Sequence, residues 1–163
     1  MSRTILAMAV SILLFANLAG ASEKADRVLV EKSDRLLLLY KQSTLIGSYH
    51  IALGGHPLGH KQRKGDERTP EGSYLLGAKN PASSFYKSIH ISYPNAYDMT
   101  LAQDRGVATG GEVMIHGQRN AFQYLSPITQ RLNWTNGSIA LSNRDMEAVW
   151  SAVDPGTPIE IKP

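Results

Sequence analysis

The chain has 163 residues, 42% hydrophobic and 19% charged, which fits one folded domain with one core and excludes disorder along the whole length. Its formal charge of +3 is too mild for the electrostatic footprint of a nucleic-acid partner. Cysteine is absent, which excludes disulfides, thiolate metal ligands, lipidation on cysteine and a cysteine nucleophile.

Residues 1–21 read as a secretory signal peptide. Arg3 precedes an apolar run from Ile5 to Ala16, and the small residues Ala19 and Ala21 suit cleavage after Ala21. The run is short for a spanning helix. The expected product is an exported domain of residues 22–163, most simply periplasmic, with no stable membrane span once the leader is cut. Loss of Arg3 leaves sixteen basic and fourteen acidic residues, a charge of +2.

Asp26–Lys32, Arg35–Lys41 and Leu45–Leu53 are apolar runs that predict an antiparallel meander. The run Leu36–Leu39 lacks alternation, so both of its faces are expected to be covered. Gly54–Gly72 is rich in Gly, Pro and charge and has no period. It reads as a long surface loop, kept for function or tolerated as disorder. Lys61, Arg63, Lys64 and Arg68 make that loop basic, with Asp66 and Glu67 offsetting. Two readings stand: attraction to an anionic partner, or an ordinary solvated loop. Gly72–Leu76 and Lys87–Tyr93 predict further strands, Pro94 onward a short helix ending near Gly106, and Glu112–His116 a short strand. Gln118–Trp134 reads as either a lid or an irregular crossing. Ser142 and Asp145 form an S-x-x-D capping box for a helix with Met146, Val149 and Trp150 on its apolar stripe. Asp154-Pro155-Gly156 stops it, and Thr157–Ile161 makes a last strand. Many short strands with two helices predict a mainly β domain.

Five histidines are the first candidates for chemistry. His50 lies in a strand and reads as structural or exposed. His56 and His60 are spaced for a metal only on a helix, which Pro57 and Gly59 argue against, and no third ligand is evident. His116 closes the EVMIH strand just before Gly117, where a strand end can face a cavity and a glycine admits another backbone. Histidine is the natural proton carrier near neutral pH. Asn136-Gly137 is a turn signal, and Ser138 just after it fits an exposed nucleophile. The amides of Gly137 and Ser138 can face a developing oxyanion. Such a serine needs an adjacent base, and His116 is the candidate. Trp134 reads as a core or cleft-wall residue.

The segments TPEG (69–72), HISYPNAYD (90–98), MIHG (114–117) and NWTNGSIALSN (133–143) resemble the L,D-transpeptidase catalytic domain family of the YkuD type, and within it the murein L,D-transpeptidase-like branch. The resemblance runs from about Asp26 to Pro163. It implies a β-sandwich with short helical insertions and an enzyme acting on peptidoglycan stem peptides, with no metal or organic cofactor. The family breaks the bond after the meso-diaminopimelate of a tetrapeptide, forms an acyl-enzyme and passes the acyl group to an amine; some members hydrolyse such links. Ser138 matches the family's nucleophilic cysteine and His116 its base, with oxyanion contacts from the backbone at Gly137 and Ser138. The resemblance also implies that His90 lies in a segment lining the cleft and that Tyr93 shapes the substrate groove; Trp134 and Asn136 are further candidates for substrate contact. Asn136 stands where relatives carry His or Asp, and Ala140 where many carry Arg. For the serine, three accounts are open: an introduced substitution, a serine enzyme (transpeptidase or hydrolase of a murein link), and a murein-binding protein that has lost catalysis.

Overall fold

A computed structural model describes residues 23–163; the predicted signal peptide lies outside the described residues. The first three strands are β1 (Arg27–Glu31), β2 (Leu36–Lys41) and β3 (Thr44–His50), and they form the expected meander. Then come β4 (Gly72–Asn80), β5 (Ser88–Ile91), helix α1 (Ala96–Asp104) and β6 (Met114–His116). The short helix α2 (Ser126–Thr129), β7 (Ile139–Ala140), helix α3 (Asn143–Ala152) and β8 (Pro158–Lys162) complete the chain.

The strands join in the order β3-β2-β1-β8-β4-β5-β6-β7. Strand β4 belongs to two layers. Its first half pairs with β8 and its second half with β5, with a register slip between Leu76 and Lys79. Such a bulge bends a strand and lets one ladder fold over itself. At the far edges, Ala52 just past β3 exchanges both amide hydrogen bonds with Ala140 of β7, at 2.9 Å each. The sheet therefore curls until its two ends meet, as a mainly β sandwich with short helical insertions requires.

The enclosed space is filled from both layers. Val28, Val30, Leu37, Leu39, Ile89, Ile91, Ile115 and Ile159 are at most 1% exposed, each worth roughly 1.5–3 kcal/mol of burial. Leu38 points the other way and is still buried, so both faces of β2 are covered, as its unbroken leucine run predicts. Helix α3 lays Met146 and Val149 on this core, while Trp150 packs only at its edge, with the Lys79 ammonium 4.5 Å above the ring.

The capping differs from expectation. Ser142 does accept from the Asp145 N–H, but Asp145 returns no bond to the Ser142 backbone. The reciprocal box is at α1, where Asn95 accepts from the Asp98 N–H and Asp98 accepts from the Asn95 N–H. An acid at the third helical position suffices when the turn brings it back. Segment 118–134 is ordered as a 3-10 turn at Gln123–Leu125 followed by α2, with Phe122, Tyr124, Ile128 and Leu132 exposed.

Candidate active site

Strands β6 and β7 run side by side in parallel, with Ile115 opposite Ile139 and His116 opposite Ala140. The same register puts Ser138 opposite Met114, and the Met114 N–H donates to Ser138 Oγ at 3.2 Å. Residues two apart on a strand share a face, so Ser138 and His116 look to one side, diagonal neighbours with Cα atoms about 8 Å apart by ladder spacing. Both line one cleft of about 650 Å³, walled by Phe85, Trp134 and Gln118. Ser138 is partly exposed to it.

His116 is 4% exposed. Its Nδ1 lies 2.7 Å from the Gly117 carbonyl oxygen. A carbonyl only accepts, so Nδ1 carries a proton, and in the neutral ring Nε2 keeps the lone pair. Burial pushes the imidazole below its usual range, and the Gly117 carbonyl offsets only part of that. The ring is clamped between Phe85, at 4.6 Å between centroids, and Trp134, at 5.6 Å edge-on. Burial thus favours the neutral form of an imidazole held in one orientation. Gly117 is required for close approach, since a Cβ there would sit 2.7 Å from Asn143 Oδ1 and 3.2 Å from the Phe85 carbonyl.

The turn before Ser138 is held from behind. Thr135 Oγ1 donates to the Ser138 carbonyl at 2.6 Å and accepts from the Gly137 N–H at 3.1 Å. The Gly137 amide is thereby engaged by the Thr135 hydroxyl. Gly137 has φ +123°, and a Cβ on it would lie 2.6 Å from the Arg68 carbonyl. That carbonyl belongs to the basic loop, which is no free surface loop. Gly54 bridges to Thr135, the Gly55 N–H donates to the Thr135 carbonyl at 3.0 Å, and the Gly54 N–H donates to Thr69 Oγ1. Lys61 is 3% exposed and paired with Asp66 at 2.8 Å, so it is lost to any anion in solvent. The loop serves as a buttress for the Ser138 turn.

Of the other predicted groove residues, Trp134 and Asn136 line the cleft. His90 and Tyr93 do not. Tyr93 is 3% exposed, donates to the Thr109 carbonyl at 3.1 Å and packs on Tyr74 and His60. His90 stands on β5, one strand away, beside Gly77 of β4. His60 is a strut: its Nδ1 accepts from the Glu71 N–H and its Nε2 lies 3.0 Å from Asp98 Oδ1. His56 faces Glu67 at 3.5 Å in solvent, and His50 is exposed at the end of β3. Among the described residues no three His, Asp or Glu side chains gather as a metal would need. Sequence reasoning missed Phe85, Thr135, Gln118 and Arg119. The first two carry no signal outside the fold, whereas the latter two directly follow the His116-Gly117 pair.

The family model for the L,D-transpeptidase catalytic domain matches residues 25–161. Over 92 residues the chain is 40% identical to the L,D-transpeptidase-type protein YafK of Escherichia coli (strain K12), a match that covers 53% of this chain and 35% of that protein. Among solved structures, the helical cell shape determining protein Pgp2 of Campylobacter jejuni is similar, with a TM-score of 0.62 and 26% identity over 83% of this chain and 46% of that one. Bd1075 of Bdellovibrio bacteriovorus shares the fold with a TM-score of 0.60 and 22% identity, over 87% of this chain and 49% of that one. This chain thus spans about a third of the length of YafK and about half of each of those two chains. The chain belongs to the L,D-transpeptidase catalytic domain family, with serine at the position of the family's cysteine.

Proposed function

We propose, from that membership and from the site, that this chain is an exported protein acting on peptidoglycan stem peptides by acyl transfer. The observation that supports the reading is that a partly exposed Ser138 and His116 line one cleft from adjacent parallel strands. The scissile bond is the one between diaminopimelate and D-alanine. Ser138 Oγ attacks its carbonyl carbon while the hydroxyl proton passes to His116 Nε2. The oxyanion takes the Ser138 N–H. The C–N bond then breaks, His116 returns its proton to the departing amine, and D-alanine leaves an ester on Oγ. An amine or water then attacks the ester carbon and loses its proton to His116, the C–Oγ bond breaks, and His116 returns that proton to Ser138 Oγ, which restores the hydroxyl and the neutral base.

A second reading has its own support. A buried His116 is a weak base, and a hydroxyl is far harder to deprotonate than a thiol. A murein-binding protein that keeps the cleft without turnover fits that mismatch. Incubating the purified protein and its Ser138→Cys variant with muropeptides, with products followed by mass, separates the readings. Release of D-alanine or a new cross-link by the wild type supports the serine enzyme. Loss of a linkage with no new cross-link indicates a serine hydrolase. Product from Ser138→Cys alone supports the binding protein. No product and no binding by either protein refutes both.

A further inference from the structure

We infer that Arg119 receives the terminal carboxylate of the departing residue, so that the site selects peptides with a free C-terminus; the inference rests on the peptidoglycan reading above. The argument starts from direction. Ser138 stands beside Met114, and β6 runs from there to His116. His116 must protonate the leaving amine, so the leaving residue lies on the His116 side of Ser138. Its carboxylate falls about one residue, roughly 3.5 Å, farther along. The chain past His116 keeps its heading beside 83–87, since the Gly117 N–H donates to the Phe85 carbonyl and the Asn120 N–H to the Ser84 carbonyl, both at 3.0 Å. Arg119 is therefore the cation met next in that direction, and it lines the same cleft.

Its backbone is fixed on both sides. Gln118, 2% exposed, donates from its N–H to Asn143 Oδ1 and from Nε2 to the Leu141 carbonyl, and accepts from Thr129 Oγ1. Asn120 donates to the Ser83 carbonyl and accepts from the Tyr86 N–H. The Arg119 side chain itself is exposed, and among the described residues it has no ion-pair partner. Among the described residues, the other formally charged side chain lining the cleft is Glu112, at the opposite end of β6. A guanidinium so placed forms a bidentate, charge-assisted pair with a carboxylate. The two charges also repel a peptide entering the other way round.

The test is calorimetric titration of the full-length protein, wild type and Arg119→Gln, with the D-alanine-terminated tetrapeptide and with its C-terminal carboxamide. The wild type is expected to bind the free acid about tenfold or more tightly than the amide. Arg119→Gln loses that preference while its thermal midpoint stays unchanged, and Arg119→Lys keeps part of it. Equal binding of acid and amide by the wild type, or a preference that survives in Arg119→Gln, overturns the inference and leaves the peptidoglycan reading intact. Binding of neither peptide by the wild type refutes the peptidoglycan reading and this inference with it.

Discussion

Acidification reads the state of His116 directly. The ring is buried, donates from Nδ1 to the Gly117 carbonyl and is held neutral by desolvation. The unfolded chain takes up a proton near pH 6.5, while the folded chain resists it. The sign follows from linkage: the contribution of His116 to stability is fully present above pH 6.5 and is lost as the pH falls below it, down to the folded pKa. If that pKa lies well under the window, the loss between pH 6.5 and 5.5 is about 1 kcal/mol. For a domain of this size, that is about 3–5 °C in Tm. The chain holds four other histidines, so the quantity to measure is a difference against a variant that lacks only this ring. Thermal unfolding of the wild type and of His116→Asn is followed by circular dichroism across pH 5–8. The gap between the two midpoints should narrow by those 3–5 °C as the pH drops from 6.5 to 5.5. A gap that stays constant means that His116 does not titrate with folding. A gap that widens means that the imidazole is charged in the folded protein, and the neutral base assigned here is wrong.

Gly137→Ala is expected to cost about 2–4 kcal/mol in urea denaturation, because its Cβ meets the Arg68 carbonyl at 2.6 Å and its φ is +123°; an unchanged midpoint would show that the buttress loop yields freely. Asn95→Ala should lower stability by about 1 kcal/mol by removing the box on α1. Asp145→Ala on α3 should cost markedly less, since its carboxylate makes no return bond. Equal losses at both would contradict the capping assignment.

Most of the architecture was legible because it is written in short-range patterns. The leucine run announced a strand covered on both faces, and Met146 and Val149 announced the buried side of α3. Ser138 and His116 were legible as candidates because each ends or begins a short apolar run beside a glycine. What could not be read was anything set by the closing of the sheet. The loop 54–72 looks like solvent-facing chain in composition, yet Gly54 and Gly55 are its means of docking against Thr135. Tyr93 sits in a segment shared with the family, but its ring turns into the Tyr74 and His60 cluster. Arg119 is one arginine among many until the parallel pairing of β6 and β7 gives the cleft a direction.

That direction bears on the serine itself. A thiol near pKa 8.5 lies about 2 units above an ordinary imidazole, a gap of roughly 3 kcal/mol. A thiolate–imidazolium pair is then within reach before substrate arrives. An alkyl hydroxyl holds its proton far more tightly, much as water does, which makes the gap several times larger. Burial of His116 widens it in both cases. Ser138 therefore cannot rest as an alkoxide in this cleft, and its proton has to leave as the bond to carbon forms. The Met114 N–H on Oγ favours any charge that develops there, thiolate or alkoxide alike. The cleft's own donors are thus indifferent to the atom at position 138. On the proposed acyl-transfer reading, the difference between serine and cysteine falls on the timing of one proton, and Ser138→Cys is expected to raise turnover without altering the cleft.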